Sequence, residues 1–443
     1  MPQSRYKALV DRLADDIRTQ RLRPGTRLPT HRELAAREGL ALVTATRVYA
    51  ELQAMGLVSG EAGRGTFVRE ALPSAQGSYL YGWSTERVDL SFNAPTLPEQ
   101  AGLLRTALRQ LAAGGDVEAL LRYQPHSGRD HEREIVARHV GLRGISASPQ
   151  SVLVVSGGQH GLATTAMALL EPGDVVAVDA LTYPGFKLVA EACRLELAPI
   201  PAAGHGPDLD ALAALCRQRR VRAVYTMPTL HNPLGWVTSA ARREALVAIA
   251  RRHDLILIED AAYAYLATDA PPPLAALAPE RTVYVSSFSK SVATGLRVGF
   301  LVAPIAWVPK LERTVRATTW NTPAMMTAIA CAWAEDGTVV RMEDGKRRDA
   351  AMRQSLAADL LGGLTRVGHP ASYFVWLPLP NEVRADTIAT ALMHENIAVS
   401  TAEPFATSPQ VPHAIRLALG SVAIPALSQA LQTVARVIAD HTY

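Results

Sequence analysis

Apolar positions in residues 1–70 recur at helical spacing and then switch to short β-rich runs. Tyr6, Leu9, Val10, Leu13 and Ile17 make one stripe, with Ser4 placed to cap it. Pro24-Gly25 breaks the chain. Thr30-His31-Arg32-Glu33 then reads as a capping box: the Thr30 hydroxyl serves the amide three residues on, and Glu33 reaches back. This second helix carries Leu34 and Ala35 and stops at Gly39. A third places Ala45, Val48, Tyr49, Leu52 and Met55 on one side and Thr44, Thr46, Arg47 and Glu51 elsewhere, ending at Gly56. Two β-rich runs follow, Leu57–Ser59 and Thr66–Val68, joined by the Gly-rich turn 60–65. Three short helices plus a hairpin predict a winged helix-turn-helix, a small α+β unit over residues 1–70.

Residues 71–86, ALPSAQGSYLYGWSTE, are poor in charge and periodicity and read as a linker. Fully extended, they reach at most about 55 Å. From residue 87 to 443 the pattern is different. Val152–Val155, Val175–Val178, Ala223–Thr226, Leu255–Ile258, Val283–Ser286 and Phe300–Val302 alternate with helical stretches such as 239–252. Near-continuous apolar strands between helices predict an α/β body with a mainly parallel sheet covered on both faces. A smaller C-terminal α/β segment is expected from about residue 345.

Composition adds bounds. A chain of 443 residues suggests two or three domains, and 48% hydrophobic residues are enough for large cores. Cys193, Cys216 and Cys331 are too scattered for a disulfide framework or a CxxC metal site. No metal is expected. No apolar run reaches spanning length and the N-terminus has no signal-peptide core, so the expected location is cytoplasmic. Residues 1–72 hold twelve basic and eight acidic residues, while the rest of the chain is balanced. A basic module on a neutral body points to a polyanion at one end, and a winged helix suits double-stranded DNA, with a protein-interaction winged helix as the alternative. Its third helix would enter the major groove. Arg32, Thr44, Thr46 and Arg47 are candidate contacts, with Arg64 and Gly65 at the wing tip.

The chemistry of the body gathers at predicted strand ends. Ser156-Gly157-Gly158-Gln159-His160-Gly161 turns a strand into a helix, whose free amides bind phosphate. Ser287 and Ser289 beside Lys290, with Arg297 seven residues on, make a phosphate cup with an amine nucleophile. Asp260 closes a buried run and needs a cationic partner, and Tyr263 follows it. Asn232, in PTLHNPLG, offers both donor and acceptor, and Tyr183, in LTYPGF, offers an aromatic face. Singly, these fit a tight turn or a surface lysine equally well. Together they ask for a ligand with a phosphate, an aldehyde, a ring nitrogen, a phenolic oxygen and a flat ring. That ligand is pyridoxal 5′-phosphate (PLP).

Two stretches resemble known families. RLRPGTRLPTHRELAAREG, a helix, then GLVSGEAGRGTFV resembles the DNA-binding domain of the GntR family over roughly residues 4–70. That family usually opens its recognition helix with Ser-Arg; here Ala41-Leu42 stands there. Ala41 cannot cap, a loss of about 1 kcal/mol in typical hosts. The order GGQ, TYPG, HNPLG, EDAAY, SFSK, LR and IRLALG is similar to fold-type I aminotransferases over roughly residues 87–443. This resemblance implies attachment of the PLP aldehyde to Lys290 and pyridinium pairing by Asp260. It implies O3′ contacts from Asn232 and Tyr263, and phosphate contacts from Gly158, Gln159, Ser287, Ser289 and Arg297. Arg416, in AIRLALG, would grip a substrate or effector carboxylate. Tyr123, in RYQPHSG, would reach the phosphate of a neighbouring subunit. With Asp260 keeping the ring nitrogen protonated, a freed Lys290 would move a proton. The two stretches in one chain resemble the MocR family of regulators. That implies a homodimeric, PLP-dependent transcription regulator whose body senses an amino compound or PLP, on paired half-sites. A working aminotransferase with an incidental DNA module, and a constitutive DNA-binding protein with structural PLP, stay open as alternatives.

Overall fold

The computed structural model describes residues 5–18, 21–23, 26–55, 57–61, 65–68, 87–114, 117–380 and 383–442. Ser4, Pro24, Gly25, Gly56, Arg64 and the linker 71–86 lie outside the described residues. The N-terminal unit contains α1 (Arg5–Arg18), α2 (His31–Glu38) and α3 (Leu42–Ala54). Leu9, Val10, Leu13 and Ile17 of α1 pack with Leu34, Ala45, Val48 and Leu52 in one core. The capping box forms: the Thr30 hydroxyl accepts from the Glu33 amide at 3.3 Å, and the Glu33 carboxylate accepts from the Thr30 amide at 2.7 Å. Gly39 ends α2 at φ 63°, a left-handed conformation that suits glycine.

The wing is β1 (Val58–Glu61) paired antiparallel with β2 (Gly65–Val68), so both strands run further toward the tip than the apolar runs do. Residues 26–28 lie along its edge. The Leu28 amide donates to Thr66 O at 2.8 Å and the Val68 amide to Thr26 O at 2.9 Å. Nothing in the pattern of Thr26-Arg27-Leu28 announces this pairing, because a three-residue edge has no period to read.

The body holds two sheets and a short strand pair. A seven-stranded sheet contains β4 (Val152–Val155), β5 (Val175–Asp179), β6 (Glu196–Ile200), β7 (Val221–Thr226), β8 (Ile256–Asp260), β9 (Thr282–Ser287) and β10 (Gly299–Val302). Its order is β4-β10-β9-β8-β7-β5-β6, parallel except for β10, which runs antiparallel to both neighbours. The connection 288–298 is too short for a parallel crossover, which needs a dozen or more residues, so β10 must return antiparallel. Leu153, Val155, Val176, Tyr225, Ile258, Val283 and Leu301 are almost wholly buried in this core. A four-stranded antiparallel sheet is built from β11 (Val367–Gly368), β12 (Phe374–Pro378), β14 (Ser400–Thr401) and β15 (Ala414–Ala418). Beside it, β3 (Val88–Asp89) pairs parallel with β13 (Ile397–Ala398), so the start of the body is woven into its C-terminal part.

The two units touch. Arg384, which is 6% exposed and precedes the helix Ala385–His394, donates to Asp11 Oδ1 of α1 at 2.6 Å. Its other nitrogen lies 3.8 Å from the Met55 sulfur just after α3. Among the described residues no helix is long and apolar enough to cross a membrane.

Candidate functional site

Two strand ends and a turn build a cup. After β4, Gly157 takes φ 92° and starts the helix Gly158–Leu169 without a side-chain cap, leaving its first amides directed outward. A Cβ on Gly157 would lie 2.7 Å from Arg297 Nη2, so glycine lets the guanidinium close over the turn. Arg297 donates toward Ser289 Oγ and Ser156 O at 3.4 and 3.5 Å. Ser287 Oγ accepts from the Ser289 amide at 3.4 Å and faces Gly158, 3.7 Å from where its Cβ would stand. Gln159 Nε2 donates to Gly185 O at 2.7 Å, while its Oε1 is buried with no protein partner among the described residues.

Lys290 sits in the single turn Phe288–Ser291 that follows β9. Its ammonium donates to Asn93 O and lies 4.9 Å from the Phe92 ring. Burial, helped by the Arg416 and Arg297 cations, lowers its pKa to about 8. The turn is fixed from outside. Lys290 O accepts from Tyr265 Oη at 2.8 Å and from Lys346 Nζ at 2.9 Å, and Lys346 also reaches Val292 O at 2.8 Å. Lys346 is fully buried, and burial brings its pKa down to about 7. Sequence reasoning missed it, because a lysine in RMEDGKRRDA looks like part of a solvated helix face. It also missed Ser91-Phe92-Asn93, a stretch without periodicity that lines both Lys290 and Arg416.

Asp260 ends β8 and is buried. Burial pushes its carboxyl up, opposed by hydrogen bonds from Tyr225 Oη at 2.8 Å and the Ala262 amide at 3.1 Å, and by nearby His231. The expected cationic partner is therefore replaced, within the protein, chiefly by a phenol and an amide. Tyr225, held by a Phe186 ring stacked at 3.8 Å, was not singled out from the sequence; its run AVYT reads as strand filler. Tyr263 is buried, and its hydroxyl receives Asn93 Nδ2 at 3.4 Å. Asn232 Oδ1 accepts from Arg416 Nη1 at 3.0 Å. Arg416 lies mid-strand in β15, donates also to Ser91 O, and rests over the Phe374 and Phe405 rings at 5.0 and 4.9 Å. Tyr183 is half-buried and folds so tightly over Gly185 that a Cβ there would sit 2.4 Å from its ring. Tyr123 is apart from these. It is 85% exposed and packs on Trp320 at 5.5 Å.

These residues fit PLP on physical grounds. Uncapped amides, two hydroxyls and Arg297 suit a phosphate. Asp260, pushed up by burial, is favoured as an anion once a pyridinium faces it. Lys290 is an amine that becomes neutral near pH 8, and the Gln159 backbone amide is among the uncapped first-turn donors, while its side chain is held by Gly185 O. When bound, PLP supplies an electron-accepting ring.

On the N-terminal unit, Arg32, Thr46 and Arg47 are exposed and Thr44 is half-buried. Thr46 Oγ1 donates to Leu42 O at 3.0 Å and contacts His31 Nδ1 at 3.1 Å. The Arg47 guanidinium lies over the Tyr6 ring at 4.7 Å and 3.8 Å from Glu51. Gly65 begins β2, and Arg64 is outside the described residues.

Comparison with known proteins matches the whole plan. Residues 5–68 match the bacterial regulatory proteins of the gntR family, and residues 85–433 match aminotransferase class I and II. The chain is similar to the uncharacterized HTH-type transcriptional regulator YdeF of Bacillus subtilis, at 27% identity over 99% of this chain and 95% of the relative. It is similar to the HTH-type transcriptional regulator TauR of Rhodobacter capsulatus, at 28% identity over 98% and 96%. Among solved structures it is similar to LysN, the α-aminoadipate aminotransferase of Thermus thermophilus, complexed with N-(5′-phosphopyridoxyl)-L-leucine. There the TM-score is 0.73 and the identity 25%, over 81% of this chain and 93% of the other. The chain thus belongs to the aminotransferase class I and II family, in the MocR-type arrangement with an N-terminal gntR-family domain.

Proposed function

We propose that this protein is a PLP-binding transcription regulator that works as a cytoplasmic homodimer on a paired DNA operator and senses an amino compound. One observation carries the reading: a complete cradle around Lys290 and a seated Arg416 occur in the same chain as a winged helix-turn-helix. In this reading residues 1–70 hold DNA, residues 87–443 hold PLP, and 71–86 join them. Gly158, Gln159, Ser287, Ser289 and Arg297 hold the phosphate. Asn232 and Tyr263 meet the phenolic oxygen, Tyr183 lies by the ring, and Lys290 and Asp260 meet the aldehyde and the ring nitrogen. Tyr123, exposed and resting on Trp320 away from the cradle of its own chain, would reach a second subunit's site in a shared dimer.

The geometry offers a route for a signal. Lys290 sits on the turn that follows β9 of the large sheet, and Arg416 lies within the small one. An amino acid whose amine takes the place of the Lys290 amine in the cradle, and whose carboxylate pairs with Arg416, would bridge the two parts, and the C-terminal part that carries Arg416 also carries Arg384, which holds Asp11 of the DNA module. Such a ligand changes DNA affinity only by its preference between two arrangements; about 1.4 kcal/mol of preference gives a tenfold change, with an equal reciprocal effect on ligand affinity. Arg416→Ala is expected to keep PLP and operator binding and to lose the ligand response. The check is DNA-binding isotherms with and without candidate amino compounds, alongside keto-acid production. Brisk turnover with unchanged DNA binding would instead make the chain a working aminotransferase.

A further inference from the structure

We infer that the first turn of α3 reads a thymine methyl group, with Val43 as the principal reader and Leu42 beside it. This rests on the DNA-binding reading above and deepens it. Ala45, Val48, Tyr49 and Leu52 bury one side of α3 in the module's core. The other side presents Val43, Thr46, Arg47 and Ala50, spaced three and four residues apart on one helical face. Val43 is 80% exposed and Leu42 47% exposed, so the N-terminal end of that face is aliphatic.

The polar groups further along are already engaged within the module. Thr46 bonds its own helix and His31, and Arg47 lies over Tyr6 near Glu51. Tyr49 Oη donates to Pro29 O, which fixes α3 against the start of α2. α3 is therefore anchored mid-helix behind a leading end that is apolar.

Exposed aliphatic side chains call for an apolar occupant. The module's charge says which: all of the chain's basic excess lies in residues 1–72, so the partner is a polyanion rather than a hydrophobic protein surface. In a helix-turn-helix the first residues of the recognition helix meet base edges in the major groove. Hydrogen-bonding groups crowd that groove, and the one apolar feature on its base edges is the thymine C5 methyl. Neither Val43 nor Leu42 has a donor or acceptor to spend on a guanine or an adenine. The operator half-site therefore carries a thymine opposite the first turn of α3.

The test uses the full chain loaded with PLP. Duplexes are selected from a random pool, and each thymine of the selected site is replaced singly by deoxyuridine, which removes only the methyl. One thymine per half-site is expected to show a loss of about fourfold in affinity, the worth of one buried carbon group. That loss is expected to vanish in Val43→Ala, an exposed position where the change leaves the module folded. A site with no such thymine, or deoxyuridine without effect at every position, overturns the inference while leaving DNA binding intact. A uracil penalty that persists in both Val43→Ala and Leu42→Ala assigns the reading to another side chain and also overturns it. Failure to select any DNA defeats the DNA-binding reading itself.

Discussion

Helix α3, near the start of the chain, and the cradle around Lys290, gathered from residues between Ser91 and Arg416, differ in how their side chains are held. Around Lys290 most of the chemistry is buried and each group is fixed by another: Asp260 by Tyr225, Asn232 by Arg416, the Lys290 turn by Lys346 and Tyr265. On α3 the facing residues are exposed, and the helix opens at Ala41 with no side-chain hydrogen bond. A buried site is pre-organised, so one lost group removes a whole function. An exposed face gains its order on contact, so single changes there have graded effects.

The most severe break is at Lys290. Lys290→Ala is expected to abolish the borohydride-fixed PLP adduct and its visible absorbance, both read by spectroscopy and mass. The wild type reconstituted with PLP but showing no adduct would end the cofactor reading. The pH dependence sharpens this. Only the neutral amine attacks an aldehyde, and Lys290 becomes neutral around pH 8 rather than in the ordinary lysine range near 10.4. Capture of PLP by the cofactor-free protein is therefore expected to speed up with pH and level off above about 8. A rate still climbing well beyond pH 9 would mean that the amine is not held in this buried place.

Next in size is Tyr225→Phe. It leaves Asp260 buried with one donor fewer, a loss of about 1–3 kcal/mol for such a group. The carboxyl, already pushed up by burial, moves further toward its neutral form, which cannot pair with a protonated ring nitrogen. PLP affinity is expected to fall about tenfold, more at low pH than at high pH, measured by absorbance titration. Unchanged affinity would show that Asp260 does not depend on Tyr225.

The same contrast explains what the sequence made legible. Six of the seven strands of the large sheet were readable because burial on both faces demands unbroken apolar runs, and the cradle because PLP demands particular groups at strand ends; the edge strand β6 was not, since it is partly exposed and its run ELAPI is broken by polar and proline residues. Lys346 and Tyr225 were not, since their meaning lies in what they touch rather than in their own segments. Phe92 and Asn93 were hidden for the same reason: their contacts to Lys290 come from residues nearly two hundred positions away. The antiparallel turn of β10 could be foreseen only by counting the residues between 288 and 298. On the DNA module the helices were legible and the contacts were not, because exposed polar residues such as Thr46 and Arg47 can bond inward as readily as outward.

The smallest expected effect lies at Ala41. Its φ of −66° and ψ of 148° already place it as the cap of α3, and what is missing is a side-chain acceptor for the orphan amides of the first turn. Ala41→Ser supplies that acceptor without moving the backbone. The expected gain is about 1 kcal/mol, which slows opening of the module about fivefold. Hydrogen exchange of the α3 amides in the full chain measures it, with the amides of the large sheet as an internal control. Because the contacts between the two units among the described residues are those of Arg384 with Asp11 and Met55, the body's exchange and its PLP titration should stay as they are. Equal protection of α3 in both proteins would mean that water or a neighbouring group already satisfies those amides. Increased protection in the body as well would mean that the two regions are coupled through more than the Arg384 contact, and the contrast between a fixed cradle and a graded face would have to be redrawn.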